Sequence, residues 1–408
     1  MTRHGDTPDR AVLAAAAALA LAACVSLGLA RFSYALLLPP MRDDLGWSYF
    51  VAGSMNTVNA AGYLLGALLT PRWLRRFGAR PTLLAGSAAA ALLLLVHCVL
   101  LGDTALLTAR FATGVASAAV FMSGGLLAAQ LGGEPGSGRA SAGLVLGIYY
   151  GGTGLGIVVS ALLVPPAAAL ATPHAWQWAW IALGAAALLC TLLTATGTRG
   201  LGTPAAGAAR GAAHAFGWRR FVPALAAYLL FGLGYIGYMT FVVTLLREQG
   251  LSEPLVVAFY SLLGLGVMVS PWLWARLLQR FRGGESLALL NALLAVATLL
   301  PVLSANAVAI FVSGALFGAV FLSLVASTTA LVRHNLAPAA WGAGIGGFTA
   351  VFAAGQIAGP VLVGWIADAA GGLRSGLAVS ALVLAGAAVL AWLQKPLAHT
   401  AAAPAEGA

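Results

Sequence analysis

The stretch Gly28–Tyr34, GLARFSY, decides the fold because a related stretch, GLGYIGY, recurs 204 positions later at Gly232–Tyr238. The same offset aligns the hexamer RWLRRF from Arg72 with RLLQRF from Arg276. Polar and aromatic positions that match at one offset exceed what chance similarity between apolar segments would give. The sequence therefore predicts that the chain consists of two halves that are copies of one another.

Glycines recur in both halves at nearly the same spacing. Gly62 aligns with Gly266 at the offset of 204, and the segment GVASAAVF from Gly114 aligns with GALFGAVF from Gly314 at an offset of 200. These alignments extend the predicted repeat beyond the first helix of each half.

The composition indicates a polytopic membrane protein. Of the 408 residues, 61% are hydrophobic and only 8% are charged, and the mean hydropathy is +0.94. So little polar material could not cover a soluble domain, whereas the 51 glycines suit closely packed membrane helices. The net charge of +10 does not predict a nucleic-acid partner, because the arginines form short clusters between apolar segments.

Twelve segments are long and apolar enough to span a bilayer, which needs about 20 residues per helix. They are predicted at 12–38, 48–70, 81–101, 104–130, 140–164, 176–196, 221–246, 255–278, 285–304, 306–332, 342–367 and 374–393. We expect an amino-terminal six-helix bundle over 1–196, a cytoplasmic linker over 197–220, a carboxy-terminal six-helix bundle over 221–396, and a disordered tail over 397–408.

The basic residues predict the orientation. With the amino terminus in the cytoplasm, 16 of the 21 lysines and arginines fall on the cytoplasmic side, three fall on the opposite side and two lie within helices. This bias follows the positive-inside rule. The sequence therefore predicts a multi-pass protein of the bacterial inner membrane with both termini in the cytoplasm.

The chain resembles the major facilitator superfamily over nearly its whole length, and its first two helices resemble the YbfB/YjiJ-like branch of that superfamily. The resemblance is carried by the loop GALLTPRWLRRFGAR, by the Arg110-to-Gly114 spacing, by GQIAGP from Gly355, and by GLARFSYALLLPPMRDDLGWS followed by MNTVNAAGYLLG. It implies an all-α membrane fold of two pseudo-symmetric six-helix bundles. It also implies that helices one, two, four and five of each half line a cavity, while helices three and six face lipid.

Two arginines lie inside predicted spans, where an unpaired charge is costly. Arg31, with Tyr34 one turn further on, is interpreted as an anion-binding group in the cavity or as a tie to backbone carbonyls of neighbouring helices. Arg110 is a second candidate for binding the solute, and the resemblance equally implies a conformational or proton-coupling role for it.

Further candidates for solute binding lie on the predicted cavity helices. Asn56, Asn59 and Tyr63 share one helical face, although hydrogen bonding between helices would also explain them. Aromatic and amide side chains of helices five, seven and eleven could complete the site, with packing as the alternative: Tyr149, Tyr150, Tyr235, Tyr238, Phe352 and Gln356.

The acidic residues are informative by their positions. None of the 11 lies near the centre of a predicted helix, so two deep arginines without a deep carboxylate favour an anionic or zwitterionic solute. If transport is coupled to protons, the nearest carriers are Asp43, Asp44, Glu248 or the solute itself. His97 is expected on a lipid-facing helix and therefore outside any proton relay.

Arginines of the loops after helices two and eight are predicted to act at the inner gate, as the resemblance implies. The alternative is a role in topology and lipid-phosphate contact alone. These residues are Arg72, Arg76, Arg276 and Arg280.

Taken together, the sequence predicts a secondary active transporter for a small organic solute, working by alternating access as a monomer among membrane lipids. Drug or metabolite efflux by the same fold is one alternative, and a membrane solute sensor that does not transport is another. No enzyme activity, cofactor or metal site is expected, since no nucleotide-binding, nucleophile or metal-ligand pattern is visible.

Overall fold

Twelve long helices form the part of the chain described by the computed structural model, residues 7–132, 140–201, 217–369 and 371–397. Helix α1 runs from Thr7 to Leu45 in three consecutive segments. The rest of the first half comprises α2 (Tyr49–Phe77), α3 (Ala79–Val96), α4 (Asp103–Leu131), α5 (Ala142–Ala168) and α6 (Trp176–Gly197). The second half comprises α7 (Val222–Glu248), α8 (Glu253–Leu273), α9 (Glu285–Leu303), α10 (Ala307–Asn335), α11 (Trp341–Ala369) and α12 (Gly372–Trp392).

Eleven helical segments of the described residues are long and apolar enough to cross a membrane. The remaining helix, α2, is less apolar because Asn56 and Asn59 lie within it, and both are buried against neighbouring helices. The predicted all-α membrane fold with two six-helix bundles is confirmed. Most of the predicted linker, 202–216, and the tail beyond 397 lie outside the described residues.

Helix α1 changes its winding at the level of Arg31. Between Cys24 and Phe32 it is a π-helix, and the N–H of Ser33 bonds the carbonyl of Gly28, five residues earlier, at 3.0 Å. Gly28 also allows α1 and α5 to touch, because a Cβ there would lie 2.5 Å from Cα of Gly156. Such π-helical turns are rare and are enriched at functional sites.

The internal repeat is visible in the packing of equivalent glycines. A Cβ on Gly114 of α4 would lie 2.1 Å from the carbonyl oxygen of Asn59, and one on Gly318 of α10 would lie 2.1 Å from that of Leu263. Both pairs are related by 204 positions. The sequence alignment of Gly114 with Gly314 at an offset of 200 is therefore wrong by one helical turn, because apolar helices also align when shifted by four residues.

Helices three and six of each half lie at the periphery, as the resemblance implies. Leu92 on α3 and Leu192 on α6 are exposed, as are Leu382 and Val389 on α12. Helix α9, the third helix of the second half and the equivalent of α3, packs along α12. Exposed leucine and valine on these helices fit a surface that contacts lipid acyl chains.

The halves meet along two seams, α2 with α11 and α5 with α8. In the first, a Cβ on Gly53 would lie 2.4 Å from the oxygen of Pro360, and in the second, a Cβ on Gly154 would lie 2.3 Å from that of Gly264. We call the end of the bundle with Arg76 and the α8–α9 connection the basic face. The opposite end, where α2 begins and α11 ends, is the distal face.

The two halves separate towards the basic face along one side of α11. Gly342, Gly346 and Thr349 of this helix are exposed, whereas Gln356 and Pro360, further along the same side, are buried against the first half. From the exposure of this stretch and the burial further along the helix we infer that a crevice opens at the basic face and ends near Arg31. The α5–α8 seam forms its continuous edge.

Candidate functional site

Arg31 lies at the closed end of the crevice, on the π-helical turn of α1, with 3% of its surface exposed. Its Nη2 donates a hydrogen bond to Oε1 of Gln356 on α11, a residue of the other half. The same oxygen accepts a hydrogen bond of 2.6 Å from the hydroxyl of Tyr235 on α7. One neutral amide oxygen thus accepts one hydrogen bond from each half.

The charge of Arg31 has no carboxylate partner among the described residues. The ion pairs found there join Arg42 to Asp43 and His174 to Asp44, both outside the crevice. The Nε of Arg31 is buried and makes no hydrogen bond to the protein. The guanidinium is therefore only partly satisfied by its protein neighbours.

Aromatic rings surround the guanidinium. The ring of Tyr63 on α2 has its centroid 5.5 Å from Cζ of Arg31, and that of Phe32 lies at 5.9 Å. Tyr63, Tyr150 on α5 and Phe352 on α11 are half-buried. These three rings contribute accessible aromatic surface near the closed end of the crevice.

The second half contributes a set of nearly parallel aromatic rings. Phe352 stacks on Tyr228 at 4.8 Å, on Phe231 at 5.2 Å and on Tyr235 at 5.6 Å, with interplanar angles of 12–19°. Tyr235 in turn stacks on Phe321 of α10 at 6.0 Å and 11°. We call these five residues the ring ladder.

Sequence reasoning singled out Tyr235 and Phe352 but missed the other members of the ladder. Tyr228, Phe231, Tyr235 and Tyr238 follow one another at spacings of three, four and three residues on α7. This spacing puts them on one helical face, and the sequence carries that signal.

Arg110 occupies a different environment, sealed between helices. Its Nη1 donates to the carbonyl of Ala30 at 2.9 Å and its Nη2 to Oδ1 of Asn56 at 3.0 Å, while the rings of Tyr34 and Trp180 cover the guanidinium at 4.9 and 5.9 Å. Only 1% of the residue is exposed. Arg110 ties α1, α2 and α4 together and does not reach the crevice in this conformation.

The side chain of His97 is buried, although α3 is a peripheral helix, as the sequence predicts. Its ring stacks on Trp180 at 4.3 Å, and its Nδ1 is 2.7 Å from the carbonyl oxygen of Leu93. It lies in the short turn His97–Val99 that follows α3 and contacts α6.

Several other predicted binding residues are engaged in packing here. The hydroxyl of Tyr34 donates to the carbonyl of Ala52 at 2.9 Å. The remaining contacts are Asn56 Nδ2 to Thr240 Oγ1 at 2.8 Å, Asn59 Nδ2 to the Arg110 carbonyl at 3.0 Å, Tyr149 to the Phe121 carbonyl at 2.7 Å, and Tyr238 to Ser313 at 2.6 Å. These contacts match the packing alternative. The crevice instead brings together Arg31, Tyr63, Tyr150, Tyr235, Phe352 and Gln356.

The distal face is closed by contacts between the halves that the sequence did not reveal. The carboxylate of Asp368 accepts hydrogen bonds from the backbone N–H groups of Tyr49 and Phe50, and the hydroxyl of Tyr49 bonds Glu248. Thr57 on α2 donates to the carbonyl of Ile357 at 2.8 Å, deeper along the same seam.

The predicted gating arginines are exposed on the basic face. Arg76 lies over the ring of its neighbour Phe77 and Arg280 over that of Phe281, at 5.3 and 5.7 Å. Arg72 and Arg276 are likewise exposed. Among the described residues, no hydrogen bond or ion pair joins these four arginines to the other half, and their gating role stays a prediction.

Comparison with known families finds one match of nearly full length. The family described as MFS_4, uncharacterised MFS-type transporter YbfB, matches residues 23–392. No curated protein matches the chain.

Solved structures show the same fold at low sequence identity. A bacterial homologue of the human lysosomal transporter Spinster, in an inward-facing and unoccupied conformation, superposes with a TM-score of 0.73 at 17% identity, covering 95% of this chain and 97% of that one. A variant of the nucleoside transporter NupG gives 0.69 at 12%, covering 93% and 98%. The human organic anion transporter MFSD10 gives 0.61 at 16%, covering 94% and 99%.

Proposed function

The chain belongs to the family of MFS-type transporters described as YbfB-like, and from this premise we propose that it is a secondary active carrier for a small anionic or zwitterionic organic solute. The carrier works by alternating access in the bacterial inner membrane, with both termini in the cytoplasm. The solute binds at Arg31, at the closed end of the crevice, and the carrier needs no cofactor.

The observation that carries this proposal is the incomplete satisfaction of Arg31. A central arginine costs about 2.5–3.5 kcal/mol on membrane-insertion scales. The Nε of both arginines makes no hydrogen bond to the protein. Arg110 offsets the cost with two protein acceptors and two aromatic rings, whereas Arg31 has a single neutral acceptor. An anionic group of the solute would complete the hydrogen bonding of Arg31 and neutralise its charge.

The open crevice supports alternating access. The distal face is closed by Asp368, Tyr49 and Glu248, and the exposed part of α11 faces the opening at the basic face. By the positive-inside rule the basic face is cytoplasmic, so this conformation corresponds to the inward-facing state. Transport requires the basic face to close and the distal contacts to break.

Proton coupling forms part of the proposal. Glu248 bonds Tyr49 of the other half only while the distal face is closed. A proton on this carboxylate would weaken the contact and favour the outward-facing state. The solute itself, protonated on one side of the membrane, is the alternative carrier.

The first experiment tests the role of Arg31 with purified protein. Thermal unfolding is followed with a panel of carboxylates and their neutral amides, for the wild type, Arg31→Ala and Arg374→Ala. Arg374 is the matched control because it is an exposed arginine at the start of α12. We expect at least one carboxylate to stabilise the wild type and the control but not Arg31→Ala.

Transport of that carboxylate is then measured in proteoliposomes with and without a pH gradient. Uptake driven by the gradient supports a proton-coupled symporter, while counterflow without a gradient effect supports a carrier that is not proton-coupled. Equal stabilisation of Arg31→Ala and the wild type would show that Arg31 is not the anion-binding group. The second candidate function is efflux of apolar metabolites, which the ring ladder favours. Cells that express the protein would then resist a toxic apolar metabolite better than cells that do not.

A further inference from the structure

We propose that the solute is a planar aromatic monocarboxylate, whose carboxylate replaces the amide oxygen of Gln356 at Arg31 and whose ring stacks against Phe352. This inference rests on the proposed function, since it takes Arg31 as the anion-binding group. It adds the identity of the anionic group, the shape of the solute and a role for Gln356.

Gln356 occupies the place of one carboxylate oxygen. Its Oε1 receives both the Nη2 of Arg31 and the hydroxyl of Tyr235. The Nη2 and Nε of an arginine present their N–H groups along the same edge of the guanidinium, which is the edge that a carboxylate grips with two oxygens. Gln356 offers one oxygen, so it satisfies Nη2 and leaves Nε without a partner.

A carboxylate in this position would bond Nη2 and Nε together and could keep the hydroxyl of Tyr235 as a third donor. Gln356 is thus a placeholder that the solute displaces. The displaced bond joins α1 to α11 across the two halves. Solute binding at Arg31 therefore removes one contact that holds the halves together at the closed end of the crevice.

The shape of the solute follows from the rings beside Arg31. The ladder presents rings within 19° of Phe352, and Phe352 itself is half-buried. Tyr63 and Tyr150 of the first half are half-buried too. A planar ring can stack on such surfaces, whereas a saturated ring loses the stacking geometry.

The number of arginine side chains that are left to bind a solute limits the negative charge that the solute can carry. Arg110 bonds Ala30 and Asn56 and is covered by two rings. Arg31 has a single acceptor, Gln356, and is therefore the deep group that is left for a solute to bind. Arg333, exposed on α10, lies within electrostatic range of Tyr150 towards the basic face. Arg333 would attract anions into the crevice, but it does not lie at the depth of Arg31 and so would not bind a second carboxylate of the same solute. This arrangement favours monocarboxylates over dicarboxylates.

The test compares four probes by isothermal titration of the purified full chain: benzoate, cyclohexanecarboxylate, benzamide and phthalate. Benzoate and cyclohexanecarboxylate differ in planarity, benzamide lacks the charge, and phthalate adds a second carboxylate. Stacking on one or two rings should make benzoate bind about fivefold to tenfold more tightly than cyclohexanecarboxylate. Benzamide and phthalate should bind more weakly than benzoate.

Separate variants test the stacking of the solute on Phe352 and the placeholder role of Gln356. Phe352→Leu should bring the affinities for benzoate and cyclohexanecarboxylate within about threefold of each other, because the apolar contact stays and the stacking is lost. Gln356→Ala should raise the affinity for benzoate, and Gln356→Glu should abolish it by supplying an internal carboxylate. Thermal unfolding of each variant without ligand reports whether it is folded.

The outcomes separate the two proposals. If carboxylates bind through Arg31 but cyclohexanecarboxylate or phthalate equals benzoate, the aromatic monocarboxylate class is wrong and the proposed function stands. If Gln356→Glu binds benzoate like the wild type, the placeholder role is wrong. If no carboxylate depends on Arg31, both proposals fail.

Discussion

The carboxylate of Asp368, at the end of α11, accepts hydrogen bonds from the backbone N–H of Tyr49 at 2.9 Å and of Phe50 at 2.8 Å. One half of the protein thus caps the amino terminus of a helix in the other half. A helix amino terminus favours a negative charge because its first N–H groups are unpaired and its dipole is positive there. This contact can exist only while the distal face is closed.

Asp368→Ala should shift the protein towards the outward-facing state. Loss of a capping side chain costs about 0.5–2 kcal/mol, and here the cost falls on the distal-closed conformation alone. The measurement is labelling of Thr240→Cys by a membrane-impermeant maleimide from the distal side, since Thr240 lies beneath this contact and bonds Asn56. We expect labelling to become severalfold faster than in the Thr240→Cys parent.

Asp43→Ala in the same parent is the control for this experiment. Asp43 is an exposed acid on the distal side, and its partner is Arg42 on its own helix. It should leave the labelling rate unchanged. Equal acceleration by both substitutions would mean that surface charge, and not the cap between the halves, sets the equilibrium.

Arg110→Lys should lower stability more than Arg31→Lys does. A lysine at 110 cannot reach the carbonyl of Ala30 and Oδ1 of Asn56 with a planar fork, so at least one buried acceptor loses its donor. An unsatisfied buried group costs about 1–3 kcal/mol. Thermal unfolding in detergent without ligand should rank wild type above Arg31→Lys and Arg31→Lys above Arg110→Lys. The reverse order would contradict the packing role of Arg110.

Gly114→Ala and Gly318→Ala should destabilise the protein by similar amounts. Each added methyl group would meet a backbone oxygen at 2.1 Å, that of Asn59 or that of Leu263, and overpacking of this kind costs about 1–3 kcal/mol. Gly346→Ala is the matched control, because nothing lies within 4 Å of its added Cβ. A large difference between the first two variants in thermal unfolding would count against the 204-residue repeat as a packing repeat.

Much of the fold was predictable because long apolar segments identify membrane helices in a sequence. The repeat was recognisable from Gly62 and Gly266, but the four-residue slip at Gly114 shows that apolar helices constrain register poorly. Arg31 and Gln356 were both predicted as binding residues, since polar groups in membrane spans are few. Their pairing was not predictable, because 325 residues separate them in sequence.

Two kinds of error at the site have physical causes. Tyr34 and Tyr238 share helical faces with candidate residues, yet their hydroxyls bond Ala52 and Ser313 inside the packed halves, which periodicity does not distinguish from lining a crevice. Asp368 resembles a solvated acid at a helix end. Its capping role depends on how the two halves dock, and no local pattern encodes that.

Arg76→Gln should slow transport without weakening solute binding. In this conformation Arg76 is exposed and lies over the ring of Phe77, so the affinity for the solute should not depend on it. If the predicted gating role holds, its guanidinium instead meets helix ends of the other half when the basic face closes, and removing the charge destabilises that state. The measurement pairs equilibrium binding with initial rates of uptake in proteoliposomes.

The lipid composition of the vesicles separates gating from lipid contact. A gating role predicts that Arg76→Gln lowers the uptake rate equally in zwitterionic and anionic vesicles, because the partner belongs to the protein. Contact with lipid phosphate predicts a defect that appears only in anionic vesicles, where a basic residue near the surface gains about 1 kcal/mol. Arg374→Gln, on the distal side, should show neither effect. A fall in affinity that matches the fall in rate would place Arg76 in the binding site and overturn both interpretations.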